Sequence, residues 1–217
     1  MSAIHPLDYL GRRLAEANVS VSAPALDRVC AYFRLLAAWN RKINLTGFDL
    51  DHPSPAAIDR LLVEPLVAAT YMTGPVTHIV DIGSGGGSPG IPLALALDSP
   101  RLTLVETKSR KVVFLKEALR AVHLVDAAVL TSRFETVAKD SGLECDALTA
   151  RAVHLDGAAL MYVAALVRGG GRAYLFRSDD SLALIRSLPQ SLHHVETRDL
   201  LAGGSSSGSR VVILRKG

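Results

Sequence analysis

The chain is poor in several features that would place it in large classes of protein. Two cysteines occur in 217 residues, Cys30 and Cys145, and they form no C-x-x-C pair. This excludes a disulfide scaffold, and two isolated thiols suit a reducing compartment. No apolar run approaches the roughly 18 residues of a membrane-spanning helix. The longest, Ala158 to Val167, reads as a core helix. The opening Met1-Ser2-Ala3-Ile4-His5-Pro6 lacks a basic segment followed by an apolar one, so no secretory leader is read there. A cytoplasmic protein with no membrane partner is expected. Charge of one sign is scarce too: a net +3 permits nucleic-acid binding without arguing for it. His193-His194 has no further ligand at useful spacing, and there is neither a G-x-S-x-G elbow nor a P-loop lysine. No metal is expected, and nothing points to a serine hydrolase or a P-loop nucleotidase.

What is present centres on Ile79-Val80-Asp81-Ile82-Gly83-Ser84-Gly85-Gly86-Gly87-Ser88-Pro89-Gly90-Ile91-Pro92. A β-branched run ends at Asp81, a glycine-dense turn follows, and Leu93 to Leu97 is apolar, so the stretch reads as strand, tight loop and helix. Glycine belongs where the backbone takes positive φ or approaches a ligand closely. The dinucleotide fingerprint G-x-G-x-x-G/A is met imperfectly, because Ser88 stands at its sixth position. The pattern D-x-G-x-G-x-G is filled completely by Asp81, Gly83, Gly85 and Gly87, and it resembles the first motif of class I methyltransferases, which bind S-adenosylmethionine. Glu106 ends the next strand, Leu102-Thr103-Leu104-Val105. An acid about 20 residues past such a loop is placed to accept hydrogen bonds from ribose hydroxyls. Both cofactors carry that ribose, so Glu106 does not separate them.

Around this stretch the chain divides in two. Residues 1–72 read as a helical extension or lid, and residues 73–217 as a methyltransferase domain. In the extension, Leu7, Leu10, Leu14 and Ala17 share one helix face. Ser22 and Pro24 open a second helix running to about Asn40, with Leu26, Val29, Phe33 and Leu36 in its stripe. Ser54 and Pro55 open a third, which Pro65 should kink or divide. Trp39-Asn40-Arg41-Lys42-Ile43-Asn44-Leu45-Thr46 suits either a helix C-cap or a lid over the cofactor cleft.

Strands are then expected near 77–82, 101–105, 126–130, 145–150, 171–177, 191–197 and 209–215. Helices are expected near 89–97, 108–121, 134–139, 155–167 and 179–188. Alternation of this kind implies an α/β fold with a doubly wound parallel sheet. Only the glycine/serine stretch 202–208, read as a mobile loop, joins the last two strands, so they should pair antiparallel. A mostly parallel seven-stranded sheet with a terminal antiparallel strand is the arrangement of the class I methyltransferase (Rossmann-like) fold.

Ligands in such sheets bind at the carboxyl ends of strands, where the remaining candidates lie. Lys108-Ser109-Arg110-Lys111 puts three cations at a helix start, against the helix dipole. It is a solvated basic face or a contact for RNA phosphate. Ser132-Arg133-Phe134-Glu135 follows the third strand. Phe134 is placed to pack on an adenine and Glu135 to meet its edge; Ser132 and Glu135 also have capping-box spacing. Arg133, Arg151 and Arg177 end three strands around one cleft, each a surface ion pair or part of a set suited to phosphate or guanine.

Together these stretches resemble the RsmG (GidB) family, bacterial methyltransferases acting on guanine N7 in 16S ribosomal RNA. The resemblance spans nearly the whole chain. It rests on the segments from Trp39 to Thr46, Asp81 to Pro92, Glu106 to Leu115, Ser132 to Glu135 and Thr149 to Ala152. It implies S-adenosylmethionine as cofactor and 16S ribosomal RNA or the small ribosomal subunit as partner, with the protein expected to act as a monomer. By resemblance Gly83, Ser88, Phe134, Glu135 and Arg151 fall at cofactor-contacting positions, and Arg133 and Arg151 match arginines implicated in activity. The family usually carries Arg-His-x-x-Asp-Ser before the first strand; here Arg60, Leu61, Glu64 and Pro65 stand in that pattern. Its common Lys-Gly after the fifth strand is Arg177-Ser178. These departures bear on the RNA target. The alternatives are a methyltransferase for another RNA or a small molecule, a non-catalytic RNA-binding assembly factor that keeps the cofactor site, and, more distantly, an NAD oxidoreductase.

Overall fold

The computed structural model describes residues 6–178, 181–201 and 209–217. The loop expected at 202–208 and the start of the helix expected from 179 lie outside the described residues. In chain order the elements are α1 (Pro6–Glu16), α2 (Ala23–Asn40), α3 (Pro55–Ile58), a π turn (Asp59–Val63), α4 (Glu64–Ala69), β1 (His78–Ile82), α5 (Gly90–Ala96), β2 (Arg101–Glu106), α6 (Ser109–Ala121), β3 (Ala127–Thr131), α7 (Phe134–Asp140), β4 (Cys145–Arg151), α8 (Gly157–Leu166), β5 (Val167–Arg177), α9 (Leu182–Arg186), β6 (Leu192–Asp199) and β7 (Arg210–Lys216).

The strands form one seven-stranded sheet in the order β3-β2-β1-β4-β5-β7-β6. β1 pairs in parallel with β2 and β4, and β7 runs antiparallel between β5 and β6. Neighbouring residues of a strand point to opposite faces, and the core follows that period. Ile79, Tyr174, Phe176, Val211 and Ile213 join α1, α2, α4, α5 and α6 on one face. Val80, Ala173, Leu175, Val212 and Leu214 join α7, α8 and α9 on the other. The helices before β1 therefore share a core with the sheet. The apolar run read as a core helix is α8, whose Leu160, Val163 and Leu166 are buried. Among the described residues no helix is long and apolar enough to cross a membrane.

Local signals act as expected at two helix starts. The Ser22 hydroxyl accepts the Ala25 N–H and the Ser54 hydroxyl accepts that of Ala57 at 3.2 Å. At α7 the expected cap is absent. Arg133 is the capping residue without a side-chain bond, and the Ser132 hydroxyl donates instead to the Arg133 carbonyl at 3.2 Å.

The break foreseen at Pro65 takes the form of the π turn just before it. The Glu64 N–H reaches back five residues to the Asp59 carbonyl, not four. A proline cannot donate to the carbonyl of residue i−4 and its ring crowds that group; one wide turn relieves the conflict.

Candidate active site

The strand order reverses between β1 and β4, and the loops leaving these strands flank the crevice at that switch point. The loop after β1 takes its shape from glycine. Gly83, Gly85 and Gly87 have φ of 66°, 55° and 90°, in a region costly for residues with a Cβ. At Gly83 a Cβ would also lie 2.6 Å from Val153 Cγ2. The Ser84 hydroxyl donates to the Asp81 carbonyl at 2.8 Å, and the Gly87 N–H to the Ser84 carbonyl at 2.7 Å. Asp81 is fully buried beneath the loop. Its Oδ1 accepts from Thr149 at 2.6 Å, while Oδ2 has no hydrogen-bond partner among the described residues. Burial pushes its carboxyl up to about 7, against the lowering effect of Thr149 and Ser84.

Glu106 ties the loop to β2. Its Oε2 accepts the Gly85 N–H at 2.9 Å, and its Oε1 accepts those of Thr107 and Lys108 at 2.8 and 2.9 Å. Burial raises its pKa, but the Lys108, Gly85 and Thr107 amides and the Lys111 charge outweigh it and hold the group below its ordinary value. A carboxylate has about four acceptor sites, so Oε2 keeps room for a ligand hydroxyl. Glu106 pairs in register with Thr131, which brings the Ser132–Glu135 turn to the strand end beside it.

The N-terminal helices roof this loop. The Tyr32 hydroxyl donates to the Gly86 carbonyl at 2.6 Å. Asn40 folds the exit from α2: its Oδ1 accepts the Leu45 and Thr46 amides at 3.0 Å, and its Nδ2 donates to the Phe48 carbonyl. Trp39 Nε1 donates to Glu117 on α6. Asn40 is the last residue of α2 and Arg41 its C-cap, while Leu45, Thr46 and the following Phe48 line the cleft below.

That cleft holds about 380 Å³. Gly83, Gly85, Ser88, Glu106 and Arg151 line it, with Lys108 and Lys111 beside them. Gly87 is not among its lining residues and is buried against Ile91 and Leu115. Arg151 is held from several sides. It donates to Glu64 Oε2 at 2.9 Å, to the Arg60 carbonyl and more weakly to Ser88 Oγ at 3.4 Å, and it lies 4.6 Å from the centre of the Phe176 ring. Burial lowers its pKa to about 10 against the pull of Glu64, which leaves it charged at neutral pH. Burial raises Glu64, opposed by Arg151 and Arg60.

A second cleft of about 610 Å³ opens beyond β4 and β5, lined by Val153, His154, Phe176 and Arg177 among others. Arg60 and Ala152 line both clefts. Ala152 takes a φ of 56°, so the chain turns sharply where the two meet. Arg60 also donates to Ser209 Oγ at 2.9 Å and lies 3.5 Å from Glu64.

The structure thus brings together Gly83, Gly85, Ser88, Glu106 and Arg151, and sets Arg177 in the adjoining cleft. Arg133 is exposed at the start of α7, Phe134 is buried under the sheet and Glu135 is half-buried; none of the three lines either cleft. Sequence reasoning did not single out Tyr32, and it read Arg60 and Glu64 only as positions in a family pattern before the first strand. Arg60 and Glu64 at i, i+4 were visible as a helical ion pair, but nothing local says that the pair faces Arg151.

A family model described as GidB, rRNA small subunit methyltransferase G, matches residues 25–209. Three proteins called ribosomal RNA small subunit methyltransferase G are similar over most of their length. That of Neisseria gonorrhoeae is 30% identical over 203 residues, 94% of this chain and 95% of its own. That of Dichelobacter nodosus is 35% identical over 173 residues, 80% and 79% respectively. That of Xanthomonas oryzae pv. oryzae is 32% identical over 206 residues, 95% and 92%. Among solved structures, TrmN from Thermus thermophilus superposes with a TM-score of 0.61 at 18% identity, over 85% of this chain and 52% of that one. The mitomycin 7-O-methyltransferase MmcR gives 0.57 at 19% identity, over 98% and 72%. The latter two show the class I methyltransferase fold. The chain belongs to the GidB family and is an S-adenosylmethionine-dependent methyltransferase of the rRNA small subunit methyltransferase G type.

Proposed function

We propose that the protein transfers a methyl group from S-adenosylmethionine to N7 of a guanine in 16S ribosomal RNA, either free or within the small subunit. One observation carries the reading beyond the family: the cofactor cleft and the second cleft share the wall made by Arg60 and Ala152. A donor in one and an acceptor in the other would meet there.

The residues fit the cofactor. The glycine loop leaves its backbone open, and Glu106 Oε2 has acceptor capacity for a ribose hydroxyl. Bound S-adenosylmethionine supplies an electrophilic methyl on a sulfonium. Gly83, Gly85 and Ser88 would hold the methionine part and Glu106 the ribose, with Phe134 and Glu135 one strand further out beside the adenine. The helices before β1 serve as the roof. Arg151 spends its charge on Glu64, which keeps it from repelling a sulfonium. Arg60 and Arg177 are then the cations facing the acceptor, and Arg133 lies further out for RNA phosphate. Guanine N7 carries a lone pair and loses no proton, so positioning and electrostatics suffice, and the transfer step should be flat in pH above neutrality. N7 is hidden in the narrow groove of double-stranded RNA, so the target is an exposed or unstacked guanine.

The test is incubation with methyl-labelled S-adenosylmethionine and small subunits that lack the modification, with naked 16S RNA and Arg151→Ala alongside. Label is expected as 7-methylguanine and is expected to be lost in the variant. Cofactor binding with no label in any RNA would overturn the assignment.

A further inference from the structure

Pro65 does more than interrupt a helix. Two backbone carbonyls before it lose their ordinary donors, and each is taken up by a side chain of the cofactor cleft. In α geometry the Arg60 carbonyl would receive the Glu64 N–H, but that group is committed to the Asp59 carbonyl. In the wide geometry it would receive the N–H of residue 65, which proline lacks. The Leu61 carbonyl loses the same residue-65 donor in α geometry. A buried carbonyl left without a donor is costly, so such groups are nearly always paired. Arg151 Nη1 donates to the Arg60 carbonyl, and Ser88 Oγ donates to the Leu61 carbonyl at 2.8 Å.

Ser88 closes the glycine loop after β1, and Arg151 ends β4, so these are the two walls of the crevice. The wide turn is itself held in place. Asp59 is fully buried and accepts from Arg13 Nε and from Tyr9 Oη of α1, each at 3.1 Å. Sliding back to α register would pull Asp59 away from both.

We propose that Pro65 is a positioning residue for S-adenosylmethionine binding: by withholding an N–H it leaves main-chain acceptors that orient Ser88 and Arg151. The inference rests on the assignment of this cleft to S-adenosylmethionine, which the wild-type titration below checks by itself. It needs no RNA, so its failure is distinct from failure of the RNA assignment.

The test is calorimetric titration of the full chain with S-adenosylmethionine, together with its thermal midpoint. Pro65→Ala restores an N–H that competes for the Arg60 carbonyl in the wide turn and for the Leu61 carbonyl in α register. The dissociation constant is expected to rise about three- to tenfold, the weight of one hydrogen bond. The midpoint should hold or rise, because a proline has left a helix. Ser88→Ala should give a rise of similar size and Ser88→Thr, which keeps the hydroxyl, should restore binding. In the double variant Pro65→Ala/Ser88→Ala the effects should fall short of multiplying, since both act on adjacent carbonyls of the same turn. Unchanged affinity in Pro65→Ala, or fully multiplicative effects, would overturn the proposal. If Pro65→Ala does not fold, the Ser88 pair still decides: equal affinity of Ser88→Ala and wild type refutes it.

Discussion

Asp81 occupies a fully buried site in which only one of its oxygens is satisfied among the described residues. Its carboxyl is pushed up to about 7 by burial, well above its value in an unfolded chain. The folded state thus holds a proton that the unfolded state releases at lower pH. The stability this contributes is complete below the unfolded pKa and is lost as pH rises toward 7. Asp81→Asn should flatten that part of the stability–pH curve, as measured by denaturant midpoints from pH 4 to 8; an unchanged slope would remove Asp81 as its source. Gly83, Gly85 and Gly87 were legible in the sequence because each stands where the backbone takes a positive φ that disfavours residues with a Cβ. Asp81 and Glu106 were legible because each ends a strand next to such a loop. The partnership of Arg151 with Glu64 was not, because 87 residues separate them and no local pattern encodes the contact.

The first turn of α6 has no acidic residue, and no side chain caps it. The Glu106 carboxylate accepts the amide of Lys108, the residue at the helix's cap position, so a strand end supplies the negative charge that the helix omits. Arg110, exposed in that turn, opposes the dipole and is open to phosphate. Arg110→Glu is expected to stabilise the fold by about 0.5 kcal/mol. It should also weaken RNA binding and reduce the salt dependence of log K by about one. Melting curves and RNA titrations at several salt concentrations check the two halves separately. At this scale the sequence was read well for the strands and the long helices, where apolar period decides. It was read less well where a single bond decides: Ser132 has the spacing of a cap, yet its hydroxyl turns to a neighbouring carbonyl. Pro65 announced a break but not its width, which depends on Asp59 being held by α1.

The helices before β1 and the sheet bury one continuous apolar cluster, so the extension and the catalytic half should unfold together. A single denaturant transition is expected for the full chain. Leu36→Ala, at a fully buried α2 position, should lower its stability by about 2–5 kcal/mol. It should also weaken S-adenosylmethionine binding, since Leu36 packs against Gly86. Two separate transitions would contradict this. The sheet class and the antiparallel final pair were legible from the rhythm of strands and helices; the union of prelude and sheet was not, because amphipathic stripes do not name their partners. The order of the strands has a consequence for synthesis. β7, made after β5 and β6, lies between them rather than at the rim. Until β7 has been made, β5 has an uncovered edge and Ser209, just ahead of β7, cannot reach Arg60. The growing chain would thus acquire its finished cleft only once β7 has been made and has slotted between two strands already in place.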